Sequence, residues 1–214
     1  METTELVKEI KRSFRVYMNG VTAASMRQKG LVYKINWGAS QMDLRRMAND
    51  YGKNRELANA LWHEQGVREC RLLATLIMPA ENMTTENALE WAASANNMEL
   101  MEAVVFNLFQ YMPSAEQLSW QMIDSDDTNI RMGAYNLVCR LLKRKIGIGV
   151  DTFNKILGKA SSDIRSIVSP GMVVDLSSAN RQLLHAIVNF LGYVESLNIA
   201  QSAVAGQMLA DAGV

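Results

Sequence analysis

Chemistry needs nucleophiles, proton carriers, metal ligands or clustered charge, and this sequence is sparing with most of them. Its two cysteines, Cys70 and Cys139, stand far apart, each in an apolar helical pattern. That setting suits reduced core thiols better than a disulfide framework or a nucleophile. The two histidines, His63 and His185, are too few and too separated for a metal-ligand spacing, and no pair of cysteines lies close enough to help. No metal and no other cofactor is expected. Gly147-Ile148-Gly149 is too short for a dinucleotide fingerprint and lacks the helix start that follows one, so it reads as a connector.

What remains is charge. The 22 Lys+Arg and 22 Asp+Glu cancel, but residues 1–60 carry 11 basic and 6 acidic side chains, residues 61–130 carry 2 and 11, and residues 131–214 carry 9 and 5. A pI near 6.7 is low for a nucleic-acid binder. Any phosphate contact should therefore come from the two ends of the chain. The densest basic run is Lys143, Arg144 and Lys145, and the N-terminal group is Lys8, Lys11, Arg12 and Arg15. These residues either touch phosphate or are ordinary solvated faces, and the run at 143–145 equally complements a helix C-terminus.

The elements that position these groups are helices. A chain of 214 residues, 49 % hydrophobic with 3 prolines, reads as one folded unit over 1–214; it should bury about 70 % of its unfolded surface. It has no apolar run long enough for a membrane span, and its start is acidic and polar where a signal peptide is basic and then apolar. A cytoplasmic monomer with no membrane contact is expected. Strand signals are scarce, and apolar residues recur at steps of three and four. Ser40 caps a helix through Met42, Leu44 and Met47 that stops near Gly52. Asn54 starts the next, Gly66 separates it from 67–78, and Pro79 closes that one. Further pairs are expected at 84–95 with 97–112, 114–123 with 127–145, and 151–168 with 178–194.

A fixed period turns this series into a repeat protein. Trp62, Trp91 and Trp120 are spaced 29 residues apart, each near the end of the first helix of a pair. Ala60, Leu89 and Leu118 stand two residues before them, Leu72, Met101 and Ile130 ten after, and Ile77, Phe106 and Tyr135 fifteen after. These columns are expected to face the core. The predicted fold is all-α: a HEAT-like helical-repeat solenoid, an α-α superhelix of stacked antiparallel helix pairs whose second helices line a concave groove. N-terminal helices occupy 1–38, the pairs 39–195, and a final helix or tail 196–214. Among the 14 methionines, Met26, Met42, Met47, Met78, Met101 and Met122 fall at helical spacing and read as core filling.

The stretches Asp43-Leu-Arg-Arg-Met-Ala48 through Tyr51, Glu56-Leu-Ala-Asn-Ala-Leu-Trp62 and Val67-Arg-Glu-Cys-Arg-Leu-Leu-Ala74 resemble the bacterial DNA alkylation repair family, the AlkD-type HEAT-like-repeat DNA glycosylases. The resemblance continues more weakly to about Tyr193. These motifs mark repeat packing, so they speak for fold and ancestry more firmly than for activity. The resemblance implies removal of alkylated purines from duplex DNA in a basic groove, where tryptophans hold the lesion and an Asp assists departure of the cationic base.

Position by position, the family's Trp-Trp-Asp-x-Val-Asp segment corresponds to Asn97-Met98-Glu99-Leu100-Met101-Glu102. Glu102 stands where the catalytic Asp would be, and Met98 replaces a tryptophan, removing the face that holds a cation. Met132 occupies the column of a family Arg, with Arg131 one residue earlier, and Asn189 occupies that of a second tryptophan. The 29-residue register sets Glu102 and Arg131 on successive second helices, as a groove pair or as an ordinary ion pair between stacked helices. Three functions are compatible with these substitutions. One is a divergent repair protein in which Glu102 still assists base loss, and another is a DNA binder with catalysis weakened or lost. The third is a scaffold that holds a protein or peptide in the groove.

Overall fold

The computed structural model describes residues 2–168, 177–197 and 199–211. Its helices are α1 (Thr3–Ser13), α2 (Gly20–Gln28), α3 (Gln41–Tyr51), α4 (Arg55–Trp62), α5 (Arg68–Ile77), α6 (Thr85–Ser94), α7 (Met98–Asn107), α8 (Ala115–Met122), α9 (Thr128–Lys143), α10 (Val150–Ile167), α11 (Ser178–Glu195) and α12 (Ser202–Asp211). Among the described residues the one extended pairing is an isolated parallel bridge, Ile35 with Val67.

The punctuation read from the sequence sets the helix ends. Ser40 Oγ accepts the Asp43 N–H at 3.1 Å and Asn54 Oδ1 accepts the Leu57 N–H at 3.0 Å, each satisfying a donor that the first helical turn leaves open. Gly52 ends α3 with φ +64°, a conformation that a Cβ disfavours. One boundary differs. The helix expected over 97–112 stops at Asn107, because Leu108 leaves helical geometry and a 3-10 turn, Phe109–Tyr111, follows. Leu108, Phe109 and Met112 remain buried, so the apolar rhythm continues where the helix does not. In the tail expected at 196–214, α12 covers Ser202–Asp211, while Asn198 and 212–214 lie outside the described residues.

The chain forms two compact units. The first runs to Thr84 and takes in Asn107–Pro113. Its interior holds Ile10, Phe14, Leu44, Leu61, Leu72 and Leu73 without exposed surface. Here the Arg-Glu-Cys-Arg motif does structural work. Glu69 Oε1 accepts the N–H groups of Trp37, Gly38 and Ala39 at 3.1, 3.0 and 3.3 Å. Arg68 Nη1 donates to the same oxygen at 3.0 Å and to the Ala39 carbonyl at 3.1 Å. The irregular segment before α3 is thus pinned to the first turn of α5. Arg71 is buried with its guanidinium 3.9 Å from the Trp62 ring, and burial pulls its pKa down to about 10. Cys70 is free and buried, which pushes its thiol up to about 12.

The second unit is Thr85–Phe106 with the chain from Ser114 onward. Tyr135 and Phe153 each pack a ring against Phe190, at 5.9 and 6.2 Å between centroids, joining α9, α10 and α11. Asn129 Nδ2 donates to the Ala95 carbonyl at 2.6 Å and fixes the start of α9. Cys139 is also free and buried.

The tryptophan columns fold as expected at most positions and fail at two. Trp62 and Trp91 are buried, as are Leu72, Met101, Ile77, Leu118 and Tyr135, while Ala60, Leu89 and Ile130 are half-buried. Trp120 and Phe106, however, are each 39 % exposed. Each ring has a cation beside it: Lys155 Nζ lies 3.9 Å from the Trp120 ring and the Arg140 guanidinium 4.1 Å from that of Phe106. Met42 does not fill the core either and is 63 % exposed. It sits two residues, about 200° of helix, from buried Leu44, and so faces solvent. Met47, Met78, Met101 and Met122 fill the core, and Met26 is half-buried with its sulfur 3.5 Å from Asn36 Nδ2.

Candidate nucleic-acid interface

Helix α7 opens on Asn97, whose Oδ1 accepts the Leu100 N–H at 3.0 Å. From there Leu100, Met101, Val104 and Val105 turn inward. The positions four apart on the other side are half-buried Met98, exposed Glu102 and exposed Phe106. Helix α11 does the same: Leu183, Ala186, Ile187, Phe190 and Leu191 are buried, and His185, Asn189 and Tyr193 follow one another at four-residue steps outside. Spacings of four put side chains one above the other on a helix face.

The two stripes lie within electrostatic reach of each other. His185 is near enough for its charge to act on the Glu102 carboxyl, and Asn189 Nδ2 lies 3.2 Å from His185 Nδ1. Glu102 is exposed as a residue, yet the protein around its carboxyl desolvates the anion and raises its pKa; the His185 charge opposes that rise and Glu99 adds to it. Glu102 of α7 and Asn189 of α11 therefore lie near the same histidine, with Met98 one turn before Glu102. In the sequence His185 stands too far from His63 for a metal-ligand spacing and carries no other signal of a site by itself. Its position four residues before Asn189 was the signal that it shares that residue's face.

The structure does not join Glu102 to Arg131. Arg131 Nε donates to Asp163 Oδ2 at 3.2 Å, and its Nη1 donates to the Ser125 and Asp126 carbonyls at 2.8 and 3.0 Å. Asp163 is buried on α10 and also accepts the Tyr135 hydroxyl at 2.9 Å. Burial and this carboxylate raise the Tyr135 pKa and keep its proton in place. Met132, expected at a groove position, is only 3 % exposed and belongs to the core. One residue along a helix is about 100° of rotation, so with Arg131 turned to Asp163 its neighbour turns inward.

The basic residues divide by what they touch. Lys8 pairs with Glu5 and Lys11 with Glu64, each at 2.7 Å, while Arg12 and Arg15 are exposed in the same unit. Lys143, Arg144 and Lys145 are exposed at the end of α9, and Lys143 Nζ lies 5.1 Å from the Tyr193 ring. Lys145 takes φ +59°, which ends the helix. Among the described residues no three His, Cys, Asp or Glu side chains are grouped to hold a metal ion, and no helix is long and apolar enough to cross a membrane.

Comparison with known proteins supplies the family. Among curated proteins none matches the chain. A solved structure from "a new family of proteins related to the HEAT-like repeat DNA glycosylases with affinity for branched DNA structures" is similar to it with a TM-score of 0.79 at 16 % identity, over 96 % of this chain and 82 % of that one. At that identity the likeness shows the fold, an all-α helical repeat of stacked helix pairs. The sequence profile described as "DNA alkylation repair enzyme" matches residues 10–167, most of the chain. The motifs at Asp43, Glu56 and Val67 all fall inside that span, and this protein belongs to the DNA alkylation repair enzyme family.

Proposed function

We propose that this protein binds DNA on the face formed by α7, α9 and α11, with excision of alkylated bases weakened or lost. The observation that carries this reading is the company Glu102 keeps. A carboxylate that assists departure of a cationic purine acts as an anion against developing positive charge. Desolvation raises the pKa of Glu102 and so weakens its anionic form. Met98 offers no aromatic face to a cation, and the nearest arginine by register, Arg131, is bound to Asp163. The site retains one carboxylate without the groups that would make it effective. The basic end of α9 and the likeness to proteins with affinity for branched DNA structures favour retained binding.

Single-turnover incubation with duplex carrying alkylated purines, scored for free base, tests the chemistry. A gel shift at low salt with intact and branched duplexes tests the binding. The reading expects binding that weakens steeply with salt and little or no free base. Excision that disappears in Glu102→Gln would instead establish a working glycosylase with a reduced set of residues. Absence of binding to every DNA would favour a protein-binding scaffold, the role to which the acidic segment 61–130 is suited.

A further inference from the structure

Two cations of α9 are set over rings supplied by the helices on either side of it. Arg140 covers Phe106 of α7 at 4.1 Å, and Lys143, one turn on, lies 5.1 Å from Tyr193 of α11. All four residues belong to the second unit. Neither cation makes an ion pair with a carboxylate among the described residues, whereas Lys8, Lys11, Arg131 and Lys155 each do. Phe106 is 39 % exposed although its repeat equivalents Ile77 and Tyr135 have no exposed surface. Arg144 and Lys145, also exposed, extend the positive charge past the end of α9.

We infer that Phe106, Arg140, Lys143 and Tyr193 form a site for an unpaired nucleotide, with its base stacked on the aromatic and guanidinium surfaces and its phosphate held by Lys143. The inference rests on the DNA-binding reading above and adds the feature of the DNA that is recognised. Phosphate attraction needs only cations, and a paired base already has both faces covered by its neighbours. Aromatic rings beside unneutralised cations add affinity only when a base presents an open face, which unpaired strands do. Arg140 on Phe106 also presents its guanidinium plane in a fixed place, on which a base stacks as it does on an aromatic ring.

The test compares a short oligo-dT strand, a blunt duplex and the same duplex with a single-stranded flap, by fluorescence anisotropy at low salt. Wild type should bind the flapped duplex more tightly than the blunt one. Phe106→Leu and Tyr193→Leu should each weaken binding to flap and oligo-dT by about tenfold and change blunt-duplex binding by less than about twofold. Phe106→Tyr keeps the ring and should keep the affinity, which separates stacking from loss of packing. Arg140→Gln with Lys143→Gln should weaken all three probes and flatten the salt dependence. Equal wild-type affinity for flap and blunt duplex, or unchanged flap binding in both leucine variants, overturns the inference and leaves the DNA-binding reading standing. Failure of wild type to bind any of the three probes overturns both.

Discussion

Arg131 Nε and Asp163 Oδ2 lie 3.2 Å apart in a largely buried contact, and the same oxygen takes the Tyr135 hydroxyl. Arg131 and Tyr135 are one turn apart on α9, so a single carboxylate of α10 holds two successive turns of the helix packed beside it. This clamp fixes the rotation of α9. It decides that Met132 is core and that Arg140 and Lys143, two to three turns later, face outward beside Phe106 and Tyr193.

Asp163→Asn should therefore destabilise the fold by about 2–4 kcal/mol, because Arg131 loses its counter-charge where solvent compensates poorly. Urea denaturation followed by circular dichroism measures this. A loss below about 1 kcal/mol would mean that the pair closes α10 onto α9 without stabilising it.

The repeat columns make a graded prediction. Trp91 is 4 % exposed and Trp120 39 %. Trp91→Ala should cost about 3–5 kcal/mol as a large-to-small core change, and Trp120→Ala distinctly less, about 1 kcal/mol. Equal costs would show that the exposed ring of Trp120, with Lys155 over it, contributes as much as a core position.

In the first unit, Gly38 has φ +73°, and a Cβ there would overlap the Asn19 carbonyl oxygen, a backbone atom unable to step aside. Its N–H is one of the three that Glu69 accepts. Gly38→Ala should cost about 2–4 kcal/mol through strain and overlap together. Thermal melting of the full chain checks it, and an unchanged midpoint would mean that the segment 37–39 re-forms elsewhere at no cost.

The fold was legible in the sequence because packing repeats. Ser40, Gly52, Asn54 and Pro79 punctuate locally, and local backbone chemistry decides where helices begin and end. The 29-residue spacing found the pairs but not the rotation of each helix. Phe106 and Trp120 sit in apolar columns and still face out, since what decides their burial is a cation from another helix, Arg140 or Lys155, far off in sequence. For the same reason the register put Arg131 opposite Glu102, whereas Asp163, 32 residues on, takes it. Glu69 is the converse case. The motif around it was recognisable, but its task of capping the 37–39 backbone depends on a tertiary contact that spacing does not encode.

Glu102 gives the prediction with a sign to work out. Desolvation raises its pKa, opposed by the His185 charge and assisted by Glu99. A carboxyl whose pKa is raised on folding binds its proton more tightly folded than unfolded. Its stabilising contribution is fully present below the unfolded value and is lost as pH rises through the folded one. DNA affinity follows the same direction, since the ionised carboxylate repels phosphate and the protonated one does not. Affinity measured at constant ionic strength should rise as pH falls through the raised Glu102 pKa. His185 is the neighbour whose charge acts on the carboxyl, so Glu102→Gln and His185→Gln must be compared. Glu102→Gln should bind DNA as well as wild type or better at neutral pH and lose the part of the rise that belongs to the carboxyl, whereas His185→Gln should retain it. Identical pH profiles for wild type and Glu102→Gln would place Glu102 outside the DNA contact and move the binding face away from the position of the family's catalytic carboxylate.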